Sequence, residues 1–219
     1  MPAHRKELNI KGPNLWYLVG LIASDGCLCK DGRHIDITAK EKDFLQRIKK
    51  NLGLVNKVCA KNKGTSKQAY RIQIANKGFY EFLLSIGLTQ NKSLTIGELK
   101  VPNEYFIDFV RGEIDGDGCI RKWKHPSNQG EQWSLRICSG SEKFIRWLEA
   151  TSEILLRIKG KIHKQSDTQW ILKYGKMAAR KIAEKCYYKN CLGLERKIKL
   201  AQECSRSYSG WDRSKTVFN

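Results

Sequence analysis

Residues 18–26 read Leu-Val-Gly-Leu-Ile-Ala-Ser-Asp-Gly, and residues 110–118 read Val-Arg-Gly-Glu-Ile-Asp-Gly-Asp-Gly. The two stretches match at their third residue, Gly20 and Gly112, and close on the same pair, Asp25-Gly26 and Asp117-Gly118. The likeness runs outward from them. Cys27-Leu28 follows the first and Cys119-Ile120 the second, and residues 37–45 align without a gap on residues 137–145. Further on, Ile86-Gly87-Leu88-Thr89-Gln90-Asn91-Lys92 answers Leu192-Gly193-Leu194-Glu195-Arg196-Lys197 with one gap. Landmarks repeated in the same order over most of a chain mark a tandem of two similar units. Their bounds are expected at residues 1–97 and 98–219, with a linker over about 94–103 that holds Pro102.

Each unit carries the same run of elements. A helix leads into the Asp-Gly pair, since glycine after the last apolar turn is a usual helix stop. A hairpin of alternating polar and apolar residues follows, over 27–30 and 33–38 in the first unit and over 119–125 and 132–138 in the second. Helices are predicted over 41–52 and 141–156, where Phe44, Leu45, Ile48 and Leu52 fall at helical spacing. A second hairpin pairs 55–63 with 68–74, and 158–164 with 169–174, and two helical stretches are expected to close each unit. The fold class is α+β: two pseudo-symmetric αββαββα units, each an antiparallel β-sheet with helices on one face.

Charge narrows the partner. Lys plus Arg number 41 against 22 Asp plus Glu, a formal net charge of +19 spread from end to end. A dispersed excess of this size belongs to a folded surface and attracts polyanions, nucleic acid first among them. No apolar run approaches the roughly 18 residues of a membrane span, so no membrane role is expected. The first residues lack an apolar stretch followed by a small-residue cleavage site, so the chain is expected to be intracellular, in an organelle or a microbe, and not secreted. The eight cysteines include no Cys-x-x-Cys pair and read as reduced thiols, not as zinc ligands or disulfides.

The paired motifs resemble the nine-residue signature of the LAGLIDADG homing endonucleases. The likeness extends through the αββαββα order and the Gly-Leu…Lys segments, over about residues 12–205. It implies a single-chain, two-motif, monomeric enzyme that cuts double-stranded DNA with a divalent metal. The motif's chemistry is legible alongside. Gly20 and Gly112 stand inside helices, where glycine costs about 0.5–1 kcal/mol relative to alanine, a cost explained if the two helices meet backbone to backbone. Asp25 and Asp117 stand where the helix dipoles are negative, and with the backbone carbonyls of Ser24 and Gly116 they make an all-oxygen set suited to Mg²⁺ or another hard cation such as Mn²⁺. Asp115 has no acidic counterpart, Ala23 being opposite it, and reads as support for the helix end or the interface, not as a ligand. The resemblance also implies a lysine beside the scissile phosphates in each unit, carried here by Lys92 and Lys197; the alternative is a pair of solvated lysines. The glutamine that many members place after the second strand is missing. Ala39-Lys40 and Ser139-Gly140 stand there, with Lys40 and Ser139 as possible substitutes.

Alternation along the strands divides each sheet into a packed and a free face. In the first unit it turns His34, Asp36, Arg71 and Gln73 outward, with Lys57, Lys61 and Lys63 on the third strand. In the second it turns out Ser134 and Arg136, with Arg121, Trp123, Lys159 and Lys161 as neighbours, while residues 170–174 are too uniformly apolar to phase. Two such faces side by side would form a DNA-binding saddle, lysines holding phosphates and the mixed residues reading bases. Because the two outward sets differ, an asymmetric target is expected, cut with a short stagger. The rival readings keep the fold: an RNA maturase that assists intron splicing, or a DNA-binding protein that does not cut. An intein setting is not supported, as the chain starts Met-Pro and ends Thr-Val-Phe-Asn.

Overall fold

The computed structural model describes residues 11–61 and 68–207. Two helices, α1 (Gly12–Asp25) and α4 (Phe106–Asp115), lie against each other at the centre. Their contact is backbone on backbone. A methyl group at Gly20 would stand 2.1 Å from the carbonyl oxygen of Phe109, and one at Gly112 would stand 2.3 Å from that of Tyr17. Neither helix is amphipathic in the usual sense, because the partner helix and the sheet of its own unit close over it. Trp16 through Ala23 are all buried on α1, as are Phe106 and Asp108 through Asp115 on α4. Pro13 opens α1, where its missing N–H costs nothing.

Each helix feeds a four-stranded antiparallel sheet. After α1 come β1 (Gly26–Leu28), β2 (His34–Ala39), β3 (Val58–Lys61) and β4 (Ala69–Ala75), in spatial order β1-β2-β4-β3. After α4 come β5 (Gly118–Lys124), β6 (Glu131–Ser139), β7 (Lys161–Ser166) and β8 (Gln169–Tyr174), in the equivalent order β5-β6-β8-β7. Ile37 pairs with Ile72 and Ile35 with Ile74 on the buried face of the first sheet; Ile137 pairs with Leu172 and Leu135 with Tyr174 on that of the second. Helices α2 (Lys42–Asn51) and α5 (Glu142–Leu156) cover these faces with Phe44, Leu45 and Ile48, and with Phe144, Ile145 and Leu148. Helix α3 (Lys77–Ser85) is capped by Asn76, whose Oδ1 accepts from the Phe79 N–H at 2.8 Å.

The architecture is the expected α+β repeat, with one difference. A second closing helix follows only in the second unit, where α6 (Lys176–Cys186) leads to α7 (Glu195–Arg206). In the first unit, α3 gives way to turns through Thr95 and an extended run to Pro102, whose Ile96 and Leu99 are buried. The connection between units is therefore packed into the core, and the Ser141 hydroxyl at the start of α5 donates to the Ile96 carbonyl. No described helix is long and apolar enough to cross a membrane.

Gly20→Ala and Gly112→Ala should each destabilise the fold by about 1–3 kcal/mol, at the upper end because the obstructing atoms are main chain. Gly97→Ala meets nothing within 4 Å and should change stability by less than about 0.5 kcal/mol. Urea denaturation midpoints of the three variants check the ranking.

Candidate active site and nucleic-acid interface

Asp25 is the last residue of α1, and Asp117 lies two residues beyond the end of α4. Both side chains are exposed at the same end of the helix pair, where β1 and β5 begin. The protein crowding beneath them still withholds enough water to raise both carboxyls above the ordinary range. For Asp117 the charge of Asp25 adds to that rise. Lys197 and Lys92 oppose the rise at Asp25, and Lys92 and Lys197 at Asp117.

The two lysines are not solvated. Lys92 is 6% and Lys197 4% exposed, and burial lowers the pKa of each. Lys197, in the first turn of α7, donates to the carbonyls of Asp115 at 2.8 Å, Gly118 at 2.9 Å and Gly116 at 3.3 Å, and to that of Ile114 as well. It closes the α4 terminus, whose last carbonyls have no helical partner. Lys92 donates to the Gly26 carbonyl at the end of α1. Among the described residues no side chain donates to the Ser24 carbonyl, whereas the Gly116 carbonyl is shared with Lys197. The two helix ends are thus alike in plan and unequal in detail.

Asp115 turns inward and holds the site together. Its carboxylate accepts from Tyr17 Oη at 2.8 Å, Tyr187 Oη at 2.7 Å and the Leu194 N–H at 2.6 Å, joining α1, α4 and the α6–α7 connection. Ala23, its counterpart, has no such role. Arg111 is fully buried at the position matching Val19. It donates to the carbonyls of Leu192 at 2.8 Å and Cys186 at 2.9 Å, pairs with Asp108 at 2.8 Å, and lies over the rings of Tyr17 and Tyr188. Glu113, which answers Leu21, is 1% exposed and its Oε1 has no hydrogen-bond partner. Burial and then Asp117 push its carboxyl well above the usual range. The repeat alignment pairs Arg111 with Val19 and Glu113 with Leu21, and this break in the symmetry was the signal available for both.

In each sheet one face is covered by helix and the other is free. In the first unit the register puts His34, Asp36, Thr38, Cys59, Lys61, Arg71 and Gln73 on that face, with Arg71 paired to Asp36 at 3.3 Å. Lys57 is exposed just before β3, and Lys63 lies outside the described residues. In the second unit Arg121, Trp123, Arg136 and Lys161 face outward. Two expected residues do not present themselves there. Ser134 shares the outward row but is 1% exposed, its short side chain lying among larger neighbours. Lys159 precedes β7 and its ammonium binds Glu153 of α5 at 3.0 Å, on the helical side. Strand pairing also phases β8: with Leu172 inward against Ile137, Lys173 faces outward beside Arg136, and His163 and Gln165 of β7 line the same shallow groove. At the ends of β2 and β6, Lys40 is exposed, while Ser139 Oγ accepts from the Ser141 N–H at 3.2 Å.

The donor set fits a hard dication. No group of three or more His, Cys, Asp or Glu side chains able to hold a metal occurs among the described residues. Two carboxylates and a carbonyl nevertheless suffice for Mg²⁺, which takes one or two protein carboxylates and completes its shell from water and substrate phosphates.

Paired helices packed through glycine, each ending in an acid above a saddle of two antiparallel sheets, define the two-unit LAGLIDADG architecture. A family model described as a LAGLIDADG-like domain matches residues 12–87. The first unit thus carries a LAGLIDADG-like domain, and the fold is that of the LAGLIDADG homing endonucleases. Among solved structures the chain resembles the homing endonuclease I-WcaI bound to its DNA recognition sequence, with 12% identity over 86% of this chain and 85% of that one and a TM-score of 0.61. It also resembles I-DmoI in complex with DNA and Ca, at 15% identity over 87% and 97% of the two chains and a TM-score of 0.57. Full-length DUF199/WhiA from Thermatoga maritima matches at 17% identity over 96% of this chain and 67% of that one, with a TM-score of 0.57. No curated protein matches the sequence.

The state of Glu113 has a consequence for stability. A carboxyl raised in the native state and ordinary in the unfolded one releases a proton on unfolding, so its contribution falls as pH rises above the ordinary carboxylate range. Glu113→Leu should therefore raise the melting temperature, and by more at pH 8 than at pH 5, as followed by calorimetry at both values.

Proposed function

We propose that the chain is a site-specific DNA endonuclease that makes a staggered double-strand break at a long asymmetric target by metal-dependent phosphodiester hydrolysis. The observation that carries the reading is the pair of exposed acids, Asp25 and Asp117, close enough for one charge to raise the other's pKa and flanked by two basic sheet faces. A duplex lying across the saddle would bring its two backbones to that point, one acid to each strand. Asp25 and Asp117 would hold Mg²⁺, with the Ser24 carbonyl as a further donor and that of Gly116 a weaker one because Lys197 shares it. When bound, such a metal supplies an activated water and neutralises charge on the scissile phosphate and leaving oxygen. Lys92 and Lys197 fix the helix ends that carry the acids and limit their repulsion, so their part is positional and electrostatic. Lys61, Lys161 and Lys173 would hold phosphates, and Arg71, Gln73, Arg121 and Arg136 would read base edges in the major groove. Because the first and second units present different residues, the site is asymmetric. Because both units lie in one chain, a monomer suffices.

A second reading keeps the DNA saddle and drops the cutting. The Gly116 carbonyl already shared with Lys197 favours it, as does the extent of the match to DUF199/WhiA. Cleavage of DNA selected from a randomised library separates the two. With Mg²⁺, wild type should linearise the selected plasmid, and chelator should abolish the reaction. Asp25→Asn and Asp117→Asn should each lower double-strand cleavage by a factor of at least about 10² while binding persists. Binding with no cleavage under any divalent cation would decide for the non-cutting protein.

A further inference from the structure

Strands β1 and β5 each start beside an acid, Asp25 or Asp117, and the two sheets end differently at the far side. In the first, β2 keeps both neighbours up to its first residue. His34 pairs with Ala75 of β4, and its carbonyl accepts from the Cys29 N–H at 2.9 Å to close the turn from β1. In the second, β8 stops at Tyr174 opposite Leu135, while residues 131–134 of β6 pair with β5 alone. That hairpin closes only at His125, whose N–H donates to the Gly130 carbonyl at 2.8 Å. It therefore outruns its own sheet by four residues a strand, about 13 Å at roughly 3.3 Å per residue.

A free two-stranded ribbon is marginal in water, and this one is braced from beneath. Trp133 is buried on its inner face and donates its indole N–H to the Glu131 carboxylate at 2.6 Å. Lys122 lies over that indole, binds Glu131 at 2.9 Å and reaches Glu203 of α7. Lys176, at the start of α6, donates to the Glu131 carbonyl at 2.7 Å. Helix α7, which the first unit lacks, thus supports the part of the hairpin that the first unit also lacks. The outer face of the extension is open. Arg121 and Trp123 stand there, Trp123 opposite Gln132, and Lys124 and His125 are exposed at the tip. Trp123 is 41% exposed, a large apolar side chain left uncovered among positive charges. A two-stranded ribbon is a shape that a major groove admits, and its charge suits the phosphates on the groove walls.

Resting on the DNA-binding saddle that both readings above share, we propose that this ribbon lengthens one half of the target. The second unit reads about three or four base pairs farther from the acids than the first, at a rise of about 3.4 Å each. Trp123 and Gln132 determine specificity at those outer positions. The hairpin of the first unit ends level with its sheet and stops short of the matching ones.

The test is selection of bound duplexes from a randomised library by the full chain, with chelator present so that no strand is cut. Gln73→Ala and Arg136→Ala mark equivalent levels of the two sheets, since Asp36, the neighbour of Gln73, faces Cys27 as Arg136 faces Cys119. Wild-type preference should run about three or four positions farther beyond the Arg136 mark than beyond the Gln73 mark. Trp123→Ala should lower discrimination at those extra positions by about fivefold or more and leave the other side within about twofold. Gln132→Ala should relax the same positions, and Trp123→Phe should keep part of the preference. Equal extents on the two sides, or a Trp123→Ala effect shared by both, would overturn the proposal alone. Retention of no duplex by wild type would overturn the saddle reading, and the proposal with it.

Discussion

The fold rests on a pair of helices that touch main chain to main chain. At Gly20 and Gly112 the separation leaves no room for a single carbon atom, so the distance between the helices is set by the backbone. Everything functional follows from that distance. It brings two helix termini to one spot, turns their acids out side by side, and places the sheets that grow from β1 and β5 to either side of the approach. A looser, side-chain-mediated packing would separate the helices by the usual 8–10 Å or so and carry the acids apart with them.

Holding two acids together at the negative ends of two dipoles is electrostatically unfavourable, and much of the surrounding structure answers that problem. Lys197 and Lys92 bring buried positive charge to the helix ends, while Asp115 is removed from the mouth and satisfied by two tyrosines and a backbone N–H. Arg111 ties α4 to the α6–α7 connection from below and shares Asp108 with Tyr188. The two acids thereby stay side by side at the mouth of the helix pair in spite of their repulsion.

How much of this the sequence revealed depended on whether a residue's setting was local. The repeat, the glycine contact and the strand faces of the first unit are local patterns, and His34, Asp36, Arg71 and Gln73 lie on the free face that alternation assigns them. β8 resisted because Trp170, Ile171, Leu172 and Tyr174 are all apolar; its phase comes from pairing with β6, which no local window contains. Lys159 misled for the opposite reason, alternation having been carried past the start of β7. The burial of Lys92 and Lys197 was hidden by their partners, backbone carbonyls far away in sequence, which carry no residue-type signature. The second closing helix was expected in both units because the repeat suggests it, yet the first unit uses that stretch to cross to its neighbour.

Arg111 and Glu113, opposite Val19 and Leu21, also determine what kind of object the two halves can be. A molecule assembled from two copies of the second half would bury two such carboxyls in place of one, doubling a desolvation cost. Two copies of the first half would carry leucine in both slots and valine in place of Arg111, with no arginine tying the helix to the segment after it. The halves have therefore ceased to be interchangeable. Whatever ancestral symmetry the repeat records, the present chain is committed to one heterologous pairing, and severed halves would be expected to find each other before they found themselves.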